Sequence, residues 1–120
     1  LYPHGETWKQ AGTVRESYKL NQPAYVLPAG TPGKTYSYAA VDKSNVILET
    51  VKQAEDGQGT ILRLYECENA RTKFTLTVPP TTTQASITNL LEEPQHPLTV
   101  TNGQIPCTIH PYEILTIRIR

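Results

Sequence analysis

The chain has 120 residues, a length that suits one domain with a single core, and its 11 basic and 11 acidic residues leave no net charge at neutral pH. A balanced charge without any basic run argues against nucleic acid or an anionic membrane as a partner. The longest apolar run is far shorter than the ~20 residues that a membrane-spanning helix needs, so the composition predicts a soluble protein with no membrane partner.

Residues 1–23 differ in character from the rest and predict an irregular N-terminal arm. This segment carries the only tryptophan, Trp8, and shows no strand alternation. Three apolar residues recur at i, i+3 and i+7, so one or two helical turns fit around residues 13–19. Aromatic side chains more often bury apolar surface than recognise a ligand. We therefore expect those of the arm to lie on the sheet or on a neighbouring domain.

From residue 24 to residue 120 the pattern predicts one β-sandwich domain. Short runs of β-branched or alternating residues are separated by turn residues every 8–12 positions, which is typical of that fold. The predicted strands are residues 24–27, 34–41, 46–52, 61–67, 74–78, 85–91, 98–101, 104–110 and 115–120. The fold class is therefore all-β, an antiparallel β-sandwich of about eight or nine short strands with an irregular N-terminal arm.

Glycine and proline mark the predicted turns between these strands. Gly57 and Gly59 permit the positive φ that a bulged hairpin loop needs between strands 46–52 and 61–67. Asn102-Gly103 is the strongest two-residue hairpin signal in the chain and joins strands 98–101 and 104–110. Two prolines and two glycines predict a turn-rich loop at residues 28–33, and two more prolines predict a loop at residues 92–97.

Cys67 and Cys107 are the only cysteines. Both fall on predicted strands with apolar neighbours on the same face, and two cysteines make no disulfide framework, so we expect buried free thiols. Free thiols favour a reducing compartment, and the chain has no Asn-x-Ser/Thr acceptor site. A cytoplasmic location is predicted. Because methionine is absent, including at position 1, we also expect a fragment of a longer polypeptide or a processed chain.

Two acidic pairs are candidate sites of chemistry. Glu66 and Glu68 lie two apart on a predicted strand, which places their Cα atoms ~6.6 Å apart, near the carboxylate spacing of an inverting glycosidase. Any two acidic residues at this spacing on a strand show the same separation, so a solvated sheet face is favoured. Glu92 and Glu93 precede a loop proline and are assigned to surface charge.

The histidines predict no metal site. His4, His96 and His110 stand far apart in the sequence, and no carboxylate or cysteine lies at metal-ligand spacing from them. Serine nucleophile motifs and glycine-rich phosphate loops are also missing. The sequence therefore predicts no catalytic residue and no metal ligand in this chain.

An ordered set of motifs runs along the whole chain. They are YPH at residues 2–4 with Trp8, LNQP at 20–23, SNVILETVKQAED at 44–56, LRLYE at 62–66, NLLE at 89–92 and PYEILTIR at 111–118. This set resembles the C-terminal β-sandwich region of the glycoside hydrolase family 38 α-mannosidases. In that family the catalytic aspartate and the zinc ligands belong to an N-terminal α/β domain, which no segment of this chain matches.

The resemblance implies a non-catalytic C-terminal domain of a zinc-dependent retaining α-mannosidase, a hydrolase of α-mannosides. Such a domain would support the catalytic domain and reach the rim of the substrate cleft. Its partners would be the catalytic and central domains of its own polypeptide and, through them, the carbohydrate substrate. No cofactor is expected in this fragment, and zinc is expected in the catalytic domain of the parent chain.

His4, Trp8 and Tyr112 are the candidate carbohydrate-binding or domain-docking residues. An autonomous carbohydrate-binding module is the alternative, in which exposed aromatic rings such as Trp8 and Tyr112 would stack on sugar faces. An immunoglobulin-like adhesion domain is disfavoured, because that fold places a core tryptophan between two disulfide-bonded cysteines and here Trp8 precedes Cys67.

Overall fold

Two antiparallel sheets form the C-terminal unit of the chain, Ser37–Arg120, in the computed structural model, which describes residues 1–28, 33 and 35–120. The described strands are β1 Ala40–Val41, β2 Val46–Gln53, β3 Thr60–Glu66, β4 Thr72–Thr77, β5 Ala85–Thr88, β6 Pro94–Leu98, β7 Gln104–Ile109 and β8 Ile114–Ile119. One sheet has the strand order β1-β4-β7 and the other β2-β3-β8-β5-β6. The predicted all-β antiparallel sandwich is confirmed.

One hydrophobic core fills the space between the inner faces of the two sheets. Leu64 and Ile117 of the five-stranded sheet and Leu76 and Ile105 of the three-stranded sheet are each fully buried in it. Full burial of such a side chain stabilises the fold by roughly 1.5–3 kcal/mol. Every member of this core cluster lies within Ser37–Arg120, so the sandwich carries a core of its own.

The hairpin between β2 and β3 follows the prediction. The register runs from Val46 opposite Glu66 to Gln53 opposite Thr60, with one irregularity in β2. Gly57 and Gly59 have φ values of 73° and 97°, as the turn chemistry requires. This hairpin contributes two neighbouring strands of the five-stranded sheet, and β8 pairs on the other side of β3.

The first two predicted strands differ from the structure. Residues 24–28 form no regular secondary structure, and Tyr25, Val26 and Leu27 are all exposed, so the strand predicted at 24–27 is wrong. β-Branched and aromatic content favours a strand only where a partner strand and a buried face exist. Within the described residues, the strand predicted at 34–41 is reduced to β1. Most of the predicted 28–33 loop lies outside the described residues.

The strand predicted at residues 98–101 is displaced in the structure. Strand β6 occupies Pro94–Leu98 instead, so all of it except Leu98 falls within residues 92–97, which were predicted to be a loop. The Asn102-Gly103 turn does form, with φ values of 50° and 71°, but it joins β6 of one sheet to β7 of the other. Thr101 and Gln104 exchange two backbone hydrogen bonds across it, at 3.0 and 2.9 Å, so the predicted two-residue hairpin turn is confirmed, although the strand before it belongs to the other sheet.

The N-terminal unit, Leu1–Tyr36, contains the helix α1, Thr13–Asn21. The helical turns predicted around residues 13–19 are confirmed and extend two residues further. Tyr2 donates its hydroxyl hydrogen bond to the carbonyl oxygen of Ala11 at 3.1 Å, which folds the segment before the helix back toward its start. A domain boundary at residue 23 stays a prediction.

Both cysteines are free thiols, as expected, but their surroundings differ. Cys107 is buried in the core, and burial raises the pKa of its thiol to about 11. It is therefore a neutral and unreactive packing group at neutral pH. Cys67 follows the end of β3 and is only half-buried, so the expectation of a buried thiol is wrong for this residue.

Candidate docking surface at the start of β8

A buried carboxylate ends strand β3 and organises the loops around it. Glu66 is 1% exposed, so its assignment to a solvated sheet face is wrong. Side chains alternate along a strand, and Glu66 therefore continues the inner face already occupied by Leu62 and Leu64. The inner position removes Glu66 from water, and its oxygens must find hydrogen-bond donors within the protein.

The Glu66 carboxylate accepts hydrogen bonds from three separate parts of the chain. Its Oε1 accepts from Asn45 Nδ2 at 2.9 Å and from the backbone N–H of Glu68 at 2.8 Å. Its Oε2 accepts from the backbone N–H of Tyr112 at 3.1 Å. One side chain therefore holds together the turn before β2, the segment after β3 and the turn before β8.

These contacts also decide the charge of Glu66. Burial raises the pKa of its carboxyl, but the hydrogen bonds from the Tyr112 backbone, the Asn45 side chain and the backbone of Glu68 and Ala70 outweigh burial and hold the pKa below its ordinary value. The carboxylate is consequently ionised at neutral pH, the form in which both of its oxygens accept hydrogen bonds.

Tyr112 combines an exposed ring with a strained backbone. Its φ is 55°, which is uncommon for a bulky residue, and the residue is 61% exposed. Tyr112 is the third residue of a turn that is closed by a 3.1 Å hydrogen bond from the N–H of Glu113 to the carbonyl oxygen of His110. Glycine usually takes this third position when φ is positive. A strained backbone conformation of this kind persists only where the surrounding contacts hold it in place, and such conformations are common at functional sites.

A second exposed apolar side chain lies two residues further along. Ile114 is 59% exposed, and it pairs across the sheet with the half-buried Tyr65. We call Tyr112 and Ile114 together the docking surface. Exposed aromatic and aliphatic side chains suit packing against an apolar protein surface, and an exposed aromatic ring also suits the face of a sugar ring.

The other two predicted site residues belong to the N-terminal unit. The His4 ring lies 5.7 Å from the Tyr2 ring between centroids, and its Nδ1 is 2.7 Å from the carbonyl oxygen of Glu6. Trp8 is 42% exposed, with Lys9 Nζ 5.5 Å from its ring centroid. The roles of His4, Trp8 and Tyr112 in sugar binding or docking stay predictions.

Sequence reasoning missed a cluster of charges on the outer face of the five-stranded sheet. Glu92 is 4% exposed and accepts from Lys52 Nζ at 2.8 Å and from the backbone N–H of Glu55 at 2.8 Å. Nearby, Arg118 Nη1 lies 2.7 Å from Asp56 Oδ2. These contacts show that the tip of the β5–β6 connection folds over the sheet.

The assignment of Glu92 to surface charge is therefore wrong. The residue has a φ of 65°, and the turn that contains it directs its side chain onto the sheet instead of into water. Hydrogen bonds from Lys52 and from the backbone of Glu55 lower the pKa of Glu92. No local sequence signal points to these contacts, because Glu55 lies 37 residues before Glu92 and Lys52 lies further away still.

Two further properties of the described residues bear on function. Their His, Cys, Asp and Glu side chains form no group of three that could hold a metal ion. Helices with the length and apolarity needed to cross a bilayer do not occur among them either.

Comparison with known proteins gives a consistent set of matches. Residues 45–117 match the model of the glycosyl hydrolases family 38 C-terminal beta sandwich domain. The sequence is 33% identical to alpha-mannosidase 2C1 of Homo sapiens, 31% to alpha-mannosidase 2C1 of Mus musculus and 29% to alpha-mannosidase G of Dictyostelium discoideum, each over 98% of the chain. The chain spans 12% of the length of each of these relatives.

Proposed function

The chain belongs to the C-terminal β-sandwich domains of glycosyl hydrolase family 38, and on that premise we propose that it is a non-catalytic domain of a zinc-dependent retaining α-mannosidase. The match covers residues 45–117, from the turn before β2 into β8, and so includes most of both sheets. The relatives named above are α-mannosidases in which this sequence accounts for a small part of the polypeptide. On this proposal, the catalytic aspartate and the zinc ligands lie in another domain of such an enzyme.

The specific role that we propose is to support the catalytic domain through the docking surface. The observation that carries this role is the exposed, strained Tyr112, held in place by the buried charge of Glu66. A carboxylate with this many hydrogen bonds stabilises one loop conformation, and a surface that is fixed before contact loses less entropy when it binds. The same surface would contribute to the rim of the substrate cleft.

A cytoplasmic location is part of the proposal. It is supported by the two free thiols, which are typical of proteins that fold in a reducing compartment.

The proposal is tested by comparing the 120-residue chain with the full-length polypeptide that contains it. We expect the full-length polypeptide to bind zinc, measured by atomic emission, and to hydrolyse an aryl α-mannoside. The chain alone is expected to do neither, because the proposal assigns both functions to other domains of the enzyme. Turnover of the mannoside by the chain alone, in a preparation free of other glycosidases, contradicts the proposal.

An autonomous carbohydrate-binding module is the second candidate, and the exposed ring of Tyr112 is the observation that favours it. Titration of the chain with mannose oligosaccharides, followed by NMR of the aromatic protons, separates the two. Saturable shifts of the Tyr112 ring at millimolar sugar support the module. The docking role predicts that the ring signals stay in place.

A further inference from the structure

A run of exposed apolar residues follows helix α1 in the N-terminal unit. Tyr25, Val26 and Leu27 are 97%, 91% and 81% exposed, and they stand consecutively after Ala24. Single exposed apolar side chains are normal on a protein surface, whereas an exposed run of three or four is unusual unless it makes a contact. The run therefore indicates a surface that another part of the protein covers.

The residue types of the run favour a strand that is buried on both faces. Tyrosine and valine are enriched in strands. In an extended segment Tyr25 and Leu27 fall on one face and Val26 on the other, because side chains alternate. Both faces are then apolar, which is typical of a strand inside a covered sheet and not of one with a face in water.

Prolines limit the run to the length of a short strand. Helix α1 ends at Asn21, and Pro23 and Pro28 flank residues 24–27. A proline pushes the residue before it toward an extended conformation, and four residues are too few for a helix of their own. Strands of three or four residues are common. The segment is therefore suited to pairing as a strand.

The backbone of this segment also has no partner among the described residues. No hydrogen bond joins the N–H and C=O groups of residues 24–27 to another described residue. When these groups are removed from water, each of them needs a hydrogen-bond partner. Whatever covers the apolar side chains must therefore supply backbone donors and acceptors too, and the edge of a β-sheet supplies both.

We propose that residues 24–27 add as a strand to the edge of a sheet in another domain of the same, longer polypeptide. In strand addition, main-chain hydrogen bonds hold the segment and alternate side chains enter pockets on the sheet. The chain spans 12% of the length of its relatives, so most of such a polypeptide lies outside these residues. A covalently joined edge meets the segment at a high effective concentration, which favours it over a second copy.

The first test is amide hydrogen exchange of residues 24–27, read by mass spectrometry with electron-transfer fragmentation. In the 120-residue chain these amides are expected to exchange at the rate of an unstructured peptide. In the full-length polypeptide at least alternate amides are expected to exchange about 100-fold more slowly or less. Equal exchange in the two samples overturns the proposal, and so does protection in the chain alone that rises with its concentration, which identifies a second copy as the partner.

Proline variants of the full-length polypeptide test whether the backbone pairs. Successive N–H groups of a strand point to opposite edges, so Tyr25→Pro or Val26→Pro removes a donor from the paired edge, and at least one of them is expected to abolish the protection of the segment. Val26→Ala keeps the N–H group and is expected to retain the protection. Amides of β3 in the same samples report whether the sandwich is folded.

Two results would contradict strand addition. The first is protection that survives in both proline variants as it does in Val26→Ala. The second is a Tyr25 ring that is protected from hydroxyl-radical labelling in the full-length polypeptide while the amides of residues 24–27 exchange freely, because side chains then dock without a strand. The proposal requires a longer polypeptide but no catalytic activity, so these measurements are independent of zinc binding and of mannoside turnover.

Discussion

Replacing Gly59 with alanine is expected to destabilise the sandwich by about 3 kcal/mol or more. An added Cβ would lie 2.3 Å from the carbonyl oxygen of Ile119 and 2.9 Å from Arg120 Cγ, and the φ of 97° is itself unfavourable for alanine. The hairpin tip must then move away from the end of β8. Urea unfolding followed by far-UV circular dichroism measures the loss.

Gly57 in the same loop provides the matched control. Its φ of 73° is also positive, but an added Cβ meets no atom closer than Gln53 Nε2 at 3.9 Å. Gly57→Ala is therefore expected to cost only about 1 kcal/mol, the penalty of the backbone conformation alone. Equal losses in the two variants would show that contact with Ile119 is not what requires glycine at position 59.

Removing the Glu66 carboxylate is the second change with a large expected effect. Glu66→Ala leaves the N–H groups of Tyr112 and Glu68 without their acceptor and is expected to cost about 3 kcal/mol. Glu66→Gln keeps one acceptor oxygen but presents an amide N–H group to a backbone N–H, and about half that loss is expected. Glu49→Gln, at an exposed position of β2, is the control, with an expected change under about 0.5 kcal/mol.

The effect of Glu66 must also depend on pH. Its folded pKa lies below the ordinary value of 4.5, so the stability that it contributes is present above that pH and is lost as the pH falls through the folded pKa. The difference in unfolding free energy between the native chain and Glu66→Gln is therefore expected to be constant near neutral pH and to narrow below about pH 4.5. A difference that does not change with pH would show that the charge of Glu66 is not what stabilises the loops.

Alternation along the strands was sufficient to find most of the sandwich. It predicted β2, β3, β4, β7 and β8 close to their observed positions. Each of these strands has one face in the core, and the apolar side chains of that face fix the register of the strand. Strand β6 could not be found in this way. Pro94 and Pro97 lie within it, and prolines are tolerated there only because β6 is an edge strand, a fact that the local sequence does not contain.

Glu66 was missed although a signal was present. Leu62 and Leu64 alternate with Ile61, Arg63 and Tyr65 along β3, and the same alternation extends the face of Leu62 and Leu64 to Glu66. The general preference of acidic residues for the surface conceals this signal. A charged residue that continues a core face predicts hydrogen bonds to nearby backbone, which is what Tyr112 and Glu68 supply.

Other parts of the candidate site could not be predicted. The positive φ of Tyr112 contradicts its residue type and arises from the surrounding contacts. The burial of Glu92 depends on the path of the β5–β6 connection across the sheet, which brings it to Lys52. Tyr112 itself was selected from the sequence only as an aromatic residue in the last matched motif.

The most direct test of the account is hydroxyl-radical labelling of Tyr112, read by mass spectrometry, in the 120-residue chain and in the full-length polypeptide. An exposed Tyr112 in the chain alone that becomes protected in the full-length polypeptide is the predicted result, because the docking surface is then covered by the rest of the enzyme. The unfolded chain gives the reference rate for an uncovered ring. Equal labelling of Tyr112 in both folded samples would contradict the claim that this sandwich packs through the docking surface.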